Sequence, residues 1–275
     1  MNALIALGKQ LIPFARRRPV PWEGGDVLLL FLLCTIILPG ATMLAMRGLL
    51  GTDAGQPASD KPSMAHPAEQ MLATKNAGMI ALAAFMAVVV APLIEELLFR
   101  VVLQGWLEAA WSRQRRIYPA LRRGSRAWGP LVLPALVFAL MHLRAAKGQP
   151  PTEYLAAMMA AQAVSALVAV ALCIGILRLA RGATATDLGW NREKLGGDAR
   201  LGFLAMLAVL PPLLVLHRWL VHLVARTGFG YAPDPIPLFF FAVVLGFLYQ
   251  RTHRLAPSLA LHMAFNATNL LLSFA

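Results

Sequence analysis

Charge is scarce in this 275-residue chain: Asp, Glu, Lys and Arg make up 14% of it, against roughly 25% in soluble domains. Acids are the rarer sign, 13 against 25 Lys and Arg, for a net charge of +12. Cysteine is nearly absent. Cys34 and Cys173 each lie in an apolar run and no C-x-x-C occurs, which excludes a disulfide framework and a thiolate metal site. No H-E-x-x-H stands in the sequence, so a zincin-type centre is excluded. No aspartate falls deep in an apolar run, and Ser165 and Ser258 lack the turn context of a serine nucleophile. Internal repeats, low-complexity tracts and soluble linkers are likewise not evident.

What abounds is apolar residues, at 59% with a mean hydropathy of +0.64. Soluble domains hold roughly 45–50%. Such a composition would aggregate in water and places the chain in a bilayer. The basic excess is therefore not a nucleic-acid footprint. It sits between the apolar runs, where the positive-inside rule and anionic lipid put it.

A span needs about 20 mostly apolar residues. Seven candidates lie at about 27–47, 77–103, 129–146, 153–178, 200–224, 236–250 and 255–274. The segments between them alternate in charge. The N-terminal stretch (Lys9, Arg16, Arg17, Arg18) and loop 104–128 (six Arg against Glu108) are strongly basic, while loop 48–76 is near neutral. This predicts an all-α polytopic transmembrane helical bundle of about seven spans, N-in and C-out. Residues 1–26 are expected to form a cytoplasmic interfacial helix, because their basic cluster follows the apolar stretch instead of preceding it as in a cleavable leader. Residues 27–275 are read as a single transmembrane domain.

Polar side chains inside apolar runs carry the functional information, since a charge at mid-bilayer costs roughly 2.5–3.5 kcal/mol. The second run holds Glu95, Glu96 and Arg100. Neighbouring helical residues point about 100° apart. Glu96 and Arg100 are spaced i,i+4 for an ion pair, which serves equally as a structural brace. Glu95 is left without that partner and suits a general base. Pro92 is expected to kink the helix and open room. The third run places Phe138 and His142 on one face. The seventh places His262 and Asn266 on one face, continued by Asn269. Lipid cannot satisfy these groups, so they point inward. Counting 1.5 Å per residue from the cytoplasmic ends puts Glu95 roughly 12 Å deep and His262 roughly 10 Å deep, with His142 a little nearer mid-bilayer. A shared site is thus expected from three distant stretches. His66, His217, His222 and His253 are read as ordinary loop or span-end residues.

A glutamate, two histidines and an asparagine suit water-mediated acyl transfer. Glu95, helped by His142, would take a proton from water, and His262 and Asn266 would donate to the oxyanion. Alternatively, His142, His262 and Glu95 would hold a divalent metal such as zinc that activates the water. The residues leave both routes open.

The ordered pattern Glu95-Glu96-x-x-x-Arg100, Phe138-x-x-x-His142 and His262-x-x-x-Asn266 resembles the CPBP family of intramembrane proteases. That family includes the CAAX-processing Ras-converting enzymes and bacteriocin-processing bacterial relatives. The resemblance covers about 77–142 and 236–270. The intervening segment 143–235 is atypical, although DLGWNREKLGGDARLGF within it is similar to a stretch that relatives place ahead of the first motif. The resemblance implies an endopeptidase that cuts a membrane-anchored protein or peptide in a bacterial cytoplasmic (inner) membrane. Glu95, His142, His262 and Asn266 would be catalytic, with Glu96, Arg100 and Phe138 in support. Two other classes of function compete with this reading. A non-catalytic membrane scaffold would need no such polar set. A small transporter carrying protons on Glu95 would show duplicated halves, which the sequence lacks.

Overall fold

The computed structural model describes residues 19–50, 59–63, 76–117, 128–143, 147–149, 152–227 and 233–273. The interfacial helix expected over 1–26 lies mostly outside the described residues, and so does most of loop 48–76. Seven helices stand where seven spans are expected. Helix α1 runs from Gly24 to Leu50 with a π-segment at Leu33–Ile37. Helix α2 runs from Ala77 to Ile117 with π-segments at Met86–Val90 and Leu97–Gln104. Helices α3 (Gly129–Met141), α4 (Thr152–Arg181), α5 (Leu195–Thr227), α6 (Pro235–Thr252) and α7 (Leu255–Leu272) follow.

Sequence chemistry fixes the ends. Asn76 caps α2, its side chain accepting from the backbone N–H groups of Gly78 and Met79. Prolines open α3 and α6, where the first-turn N–H is dispensable. Helix α6 stops at His253, whose φ of 47° reverses the chain into α7.

Five of the helices are long and apolar enough to cross a membrane: α1, α2, α4, α5 and α6. Helix α3 is apolar but has only 13 residues. Helix α7 has 18 residues but carries Ser258, His262, Asn266, Thr268 and Asn269, which dilute its hydropathy. Two expected boundaries move. The basic loop 104–128 begins as helix, since α2 continues to Ile117. The third span ends at Met141, leaving His142 as its C-cap.

Contacts at the helix ends agree with the expected alternation. Asp26, at the start of α1, pairs with Arg181, at the end of α4, at 2.8 Å. Asp198, at the start of α5, takes a two-pronged contact from Arg254, between α6 and α7, with Arg254 Nη2 at 2.6 Å and Nε at 2.7 Å. All four ends are cytoplasmic in an N-in chain. On the opposite side, His217 of α5 lies 3.8 Å from Asp234 before α6. There, too, β1 (Ser59–Ser63) and β2 (Lys147–Gln149) pair antiparallel, with Ser59 opposite Gln149, joining the connections that follow α1 and α3.

Leu28, Leu44, Leu49, Val215 and Leu179, the last 91% exposed, form an apolar exterior that lipid must cover. The core sits on the inner half of α2. There Leu97, Leu98, Phe99, Val101 and Val102 meet Leu30 of α1, Ala135 and Phe138 of α3, Cys173 of α4 and Ala242 of α6. Helices α5 and α7 approach closely at Gly202, where a Cβ would stand 2.4 Å from the Pro257 carbonyl oxygen. Only glycine fits there.

Candidate active site

Helix α2 supplies Glu95 and Glu96, α7 supplies His262 and Asn266, and α3 supplies Phe138 and His142. The His262 imidazole is the meeting point. Its Nδ1–H donates to Glu96 Oε1 at 3.0 Å, and its Nε2 lies 3.6 Å from Glu95 Oε2. The residues are 166 positions apart in sequence for the Glu96 contact. Glu95 therefore does have a partner, His262, that the spacing within its own helix could not reveal. Glu96 also faces Arg100 Nε at 3.3 Å, the ion pair expected from the i,i+4 spacing.

Aromatic rings close the floor. The Phe138 ring lies 4.5 Å from the His142 ring and 6.0 Å from that of His262. Phe241 sits edge-on to His262 at 5.2 Å. His142 is within electrostatic reach of Glu95. Its Nδ1 lies 2.7 Å from the Phe138 carbonyl oxygen. A carbonyl only accepts, so Nδ1 carries the proton, and in the neutral ring Nε2 is an acceptor. Asn266 Nδ2 donates to the Ala87 carbonyl at 2.7 Å, which commits one of its two N–H bonds.

The π-segments shape this geometry. Pro92 has no N–H and its ring collides with the carbonyl four residues back. The wider turn at Met86–Val90 relieves that collision and exposes the Ala87 carbonyl that Asn266 uses. The kink expected at Pro92 is thus taken up as a π-segment.

Glu95, Phe138, His142 and His262 lie around one point, and Asn266 stands one helical turn further along α7, its amide on the Ala87 carbonyl. Burial grades them: Glu96, Arg100, Phe138 and His262 are buried, whereas the Glu95 side chain keeps 25% of its exposure. Glu95 is thus the less enclosed of the two carboxylates. Among the described residues no three His, Cys, Asp or Glu side chains are gathered to hold a metal ion. His142 and His262 each direct Nδ1 at an oxygen, of Phe138 and of Glu96, which leaves both Nε2 atoms and Glu95, the expected zinc set, open to a water or a metal.

The sequence reading missed Gln104 and Glu108. Glu108 falls within the expected loop 104–128, yet both are buried on α2. Their signal was the spacing: 96, 100, 104 and 108 are four apart. His253, read as an ordinary turn residue, lies 3.8 Å from Glu108.

The sequence model of the type II CAAX prenyl endopeptidases, Rce1-like, matches residues 77–187 and 195–268, more than half of the chain. The chain belongs to this Rce1-like family. No curated protein and no solved structure matches it. The Rce1-like match runs through most of the segment 143–235 that the motifs alone set apart, and breaks only at 188–194. That break contains Gly189, whose carbonyl accepts from Leu255 N–H at the start of α7. Membership of a family of CAAX-type endopeptidases makes this an integral membrane protease, a hydrolase acting on a membrane-associated substrate.

Proposed function

We propose that the chain hydrolyses a peptide bond near the membrane-anchored end of a CAAX-type protein or peptide, with the water activated by Glu95 and not by a metal. The observation that carries this reading is the placement of Glu95 Oε2 at 3.6 Å from His262 Nε2, on the exposed side of a buried Glu96–His262 pair.

Water held between Glu95 and the acceptor Nε2 of His142 loses a proton to Glu95. The hydroxide adds to the scissile carbonyl carbon, and the carbonyl oxygen becomes the oxyanion. His262, in its doubly protonated form with Nδ1–H donating to Glu96, presents Nε2–H to that oxygen, and the second N–H of Asn266 joins it. Collapse breaks the C–N bond, and the proton on Glu95 passes to the leaving amine. Glu96 and Arg100 fix the imidazole, and Phe138 packs against both histidines. The excess of Lys and Arg on the cytoplasmic face suits a bacterial cytoplasmic membrane, where we place the protein.

The test is cleavage of a farnesylated CAAX peptide by the purified protein in nanodiscs. Wild type should release the C-terminal fragment, and Glu95→Gln should lose cleavage while remaining folded. A strong chelator should leave the rate unchanged. Loss of activity on chelation, restored by zinc, would overturn the metal-free route.

A further inference from the structure

The candidate site stands at one end of a polar stripe whose far half, Gln104 and Glu108, has no part in the reaction as drawn. Glu96, Arg100, Gln104 and Glu108 follow at intervals of four along α2, and all four are buried. In an uninterrupted α-helix each interval of four drifts by roughly 40°, so three would swing the stripe about a third of a turn. The π-segment Leu97–Gln104 has more residues per turn and takes back that drift. The side chains can then meet end to end.

They do meet. Arg100 Nε faces Glu96 Oε2 at 3.3 Å. Gln104 Nε2 donates to Glu108 Oε1 at 2.9 Å and to the Gly246 carbonyl of α6 at 2.8 Å. Glu108 Oε2 lies 3.8 Å from His253 Nδ1 in the α6–α7 turn. Gly246 permits this approach, since a Cβ there would stand 3.0 Å from Gln104 Oε1 and 3.3 Å from Arg100 Nη1. Among the described residues Arg100 Nη1 and Nη2 and Gln104 Oε1 have no hydrogen-bond partner. Such buried polar capacity is what internal water fills. A stripe of this kind is costly to bury in an apolar bundle. Its upper end is Glu96, the group that orients His262.

We propose that Gln104 and Glu108, anchored on the Gly246 carbonyl and on His253, are positioning residues. They set the Arg100 guanidinium and through it hold Glu96 against His262 Nδ1. The expected effect on rate rests on the protease reading above; the effect on His262 does not. The experiment is therefore run with two readouts on the full chain in nanodiscs. One is 15N-histidine NMR, with the His262 signal assigned by its absence in His262→Gln. The other is cleavage of the farnesylated CAAX peptide.

Gln104→Met keeps length and volume and removes both hydrogen bonds. It should move the His262 Nδ1–H signal away from its bonded position and lower kcat roughly 10- to 100-fold, with KM within about twofold. Glu108→Leu should do the same, whereas Glu108→Gln, which still accepts from Gln104, should keep the wild-type His262 signal. If Gln104→Met does not fold, the Glu108 pair, nearer the cytoplasmic face, carries the test. An unchanged His262 signal in the folded variants overturns the proposal whatever the activity. A shifted signal in a protein whose wild type cleaves nothing supports the positioning and defeats the protease reading instead.

Discussion

Between Ala77 and Glu95, the outer half of α2, only Ala83, Val90 and Pro92 are buried, whereas from Glu96 to Val102 every residue is. The outer half packs on Leu155 and Met159 of α4, takes the Asn266 amide of α7, and ends at Glu95 beside His262. The inner half is gripped by α1, α3, α4 and α6, and even the Trp22 indole ahead of α1 donates to the Val102 carbonyl at 3.0 Å. Two adjacent carboxylates straddle the boundary. Glu95 is the last residue of the loose half and Glu96 the first of the tight one. The contrast is what supports the proposed division of work, with the less enclosed carboxylate exchanging protons with water and the buried, doubly partnered one holding its neighbours in place.

Substitutions on the two sides of that boundary should separate cleanly. The largest effect is on rate. Glu95→Gln should lower cleavage of the CAAX peptide by about 10²–10⁴-fold with the thermal midpoint in detergent nearly unchanged. Asn266→Ala should follow at about 10²–10³-fold, the loss of one oxyanion donor. Arg100→Met inverts the pattern: it strands Glu96 as an uncompensated buried charge and should cost about 3–5 kcal/mol, read by chemical unfolding. If Glu95→Gln proved as destabilising as Arg100→Met, the boundary would lose its meaning. Gly202→Ala should cost about 1–3 kcal/mol, because the new Cβ on α5 would collide with the Pro257 carbonyl of α7 and push the two helices apart. Smallest of all, Phe85→Leu, at a 44% exposed position of the outer half, should stay within about 0.5 kcal/mol.

Much of this was legible in the sequence, and the parts that were not share a cause. Apolar runs gave the seven helices because a span is a local property of about 20 residues. Loop charge predicted which helix ends share a side, and the Asp26–Arg181 and Asp198–Arg254 pairs join ends so predicted. The Glu96–Arg100 pair was legible because both partners sit on one helix. The Glu95–His262 and Glu96–His262 contacts were not, since they cross from α2 to α7. Shared depth made a common site geometrically reasonable but could not say which carboxylate would be buried. The π-segments left no local signature except Pro92. Without the Leu97–Gln104 segment in view, Gln104 and Glu108 read as the start of a basic loop, and the stripe they form could not be seen.

The account depends on α2 and α7 bringing Glu95 and His262 side by side, and site-directed cross-linking in native membranes tests this without any need for activity. In a Cys34→Ser, Cys173→Ser background, the pair Glu95→Cys and His262→Cys should be joined by a short bifunctional thiol reagent as readily as the control pair Asp198→Cys and Arg254→Cys. A clean cross-link at the control pair and none between positions 95 and 262 would contradict the account.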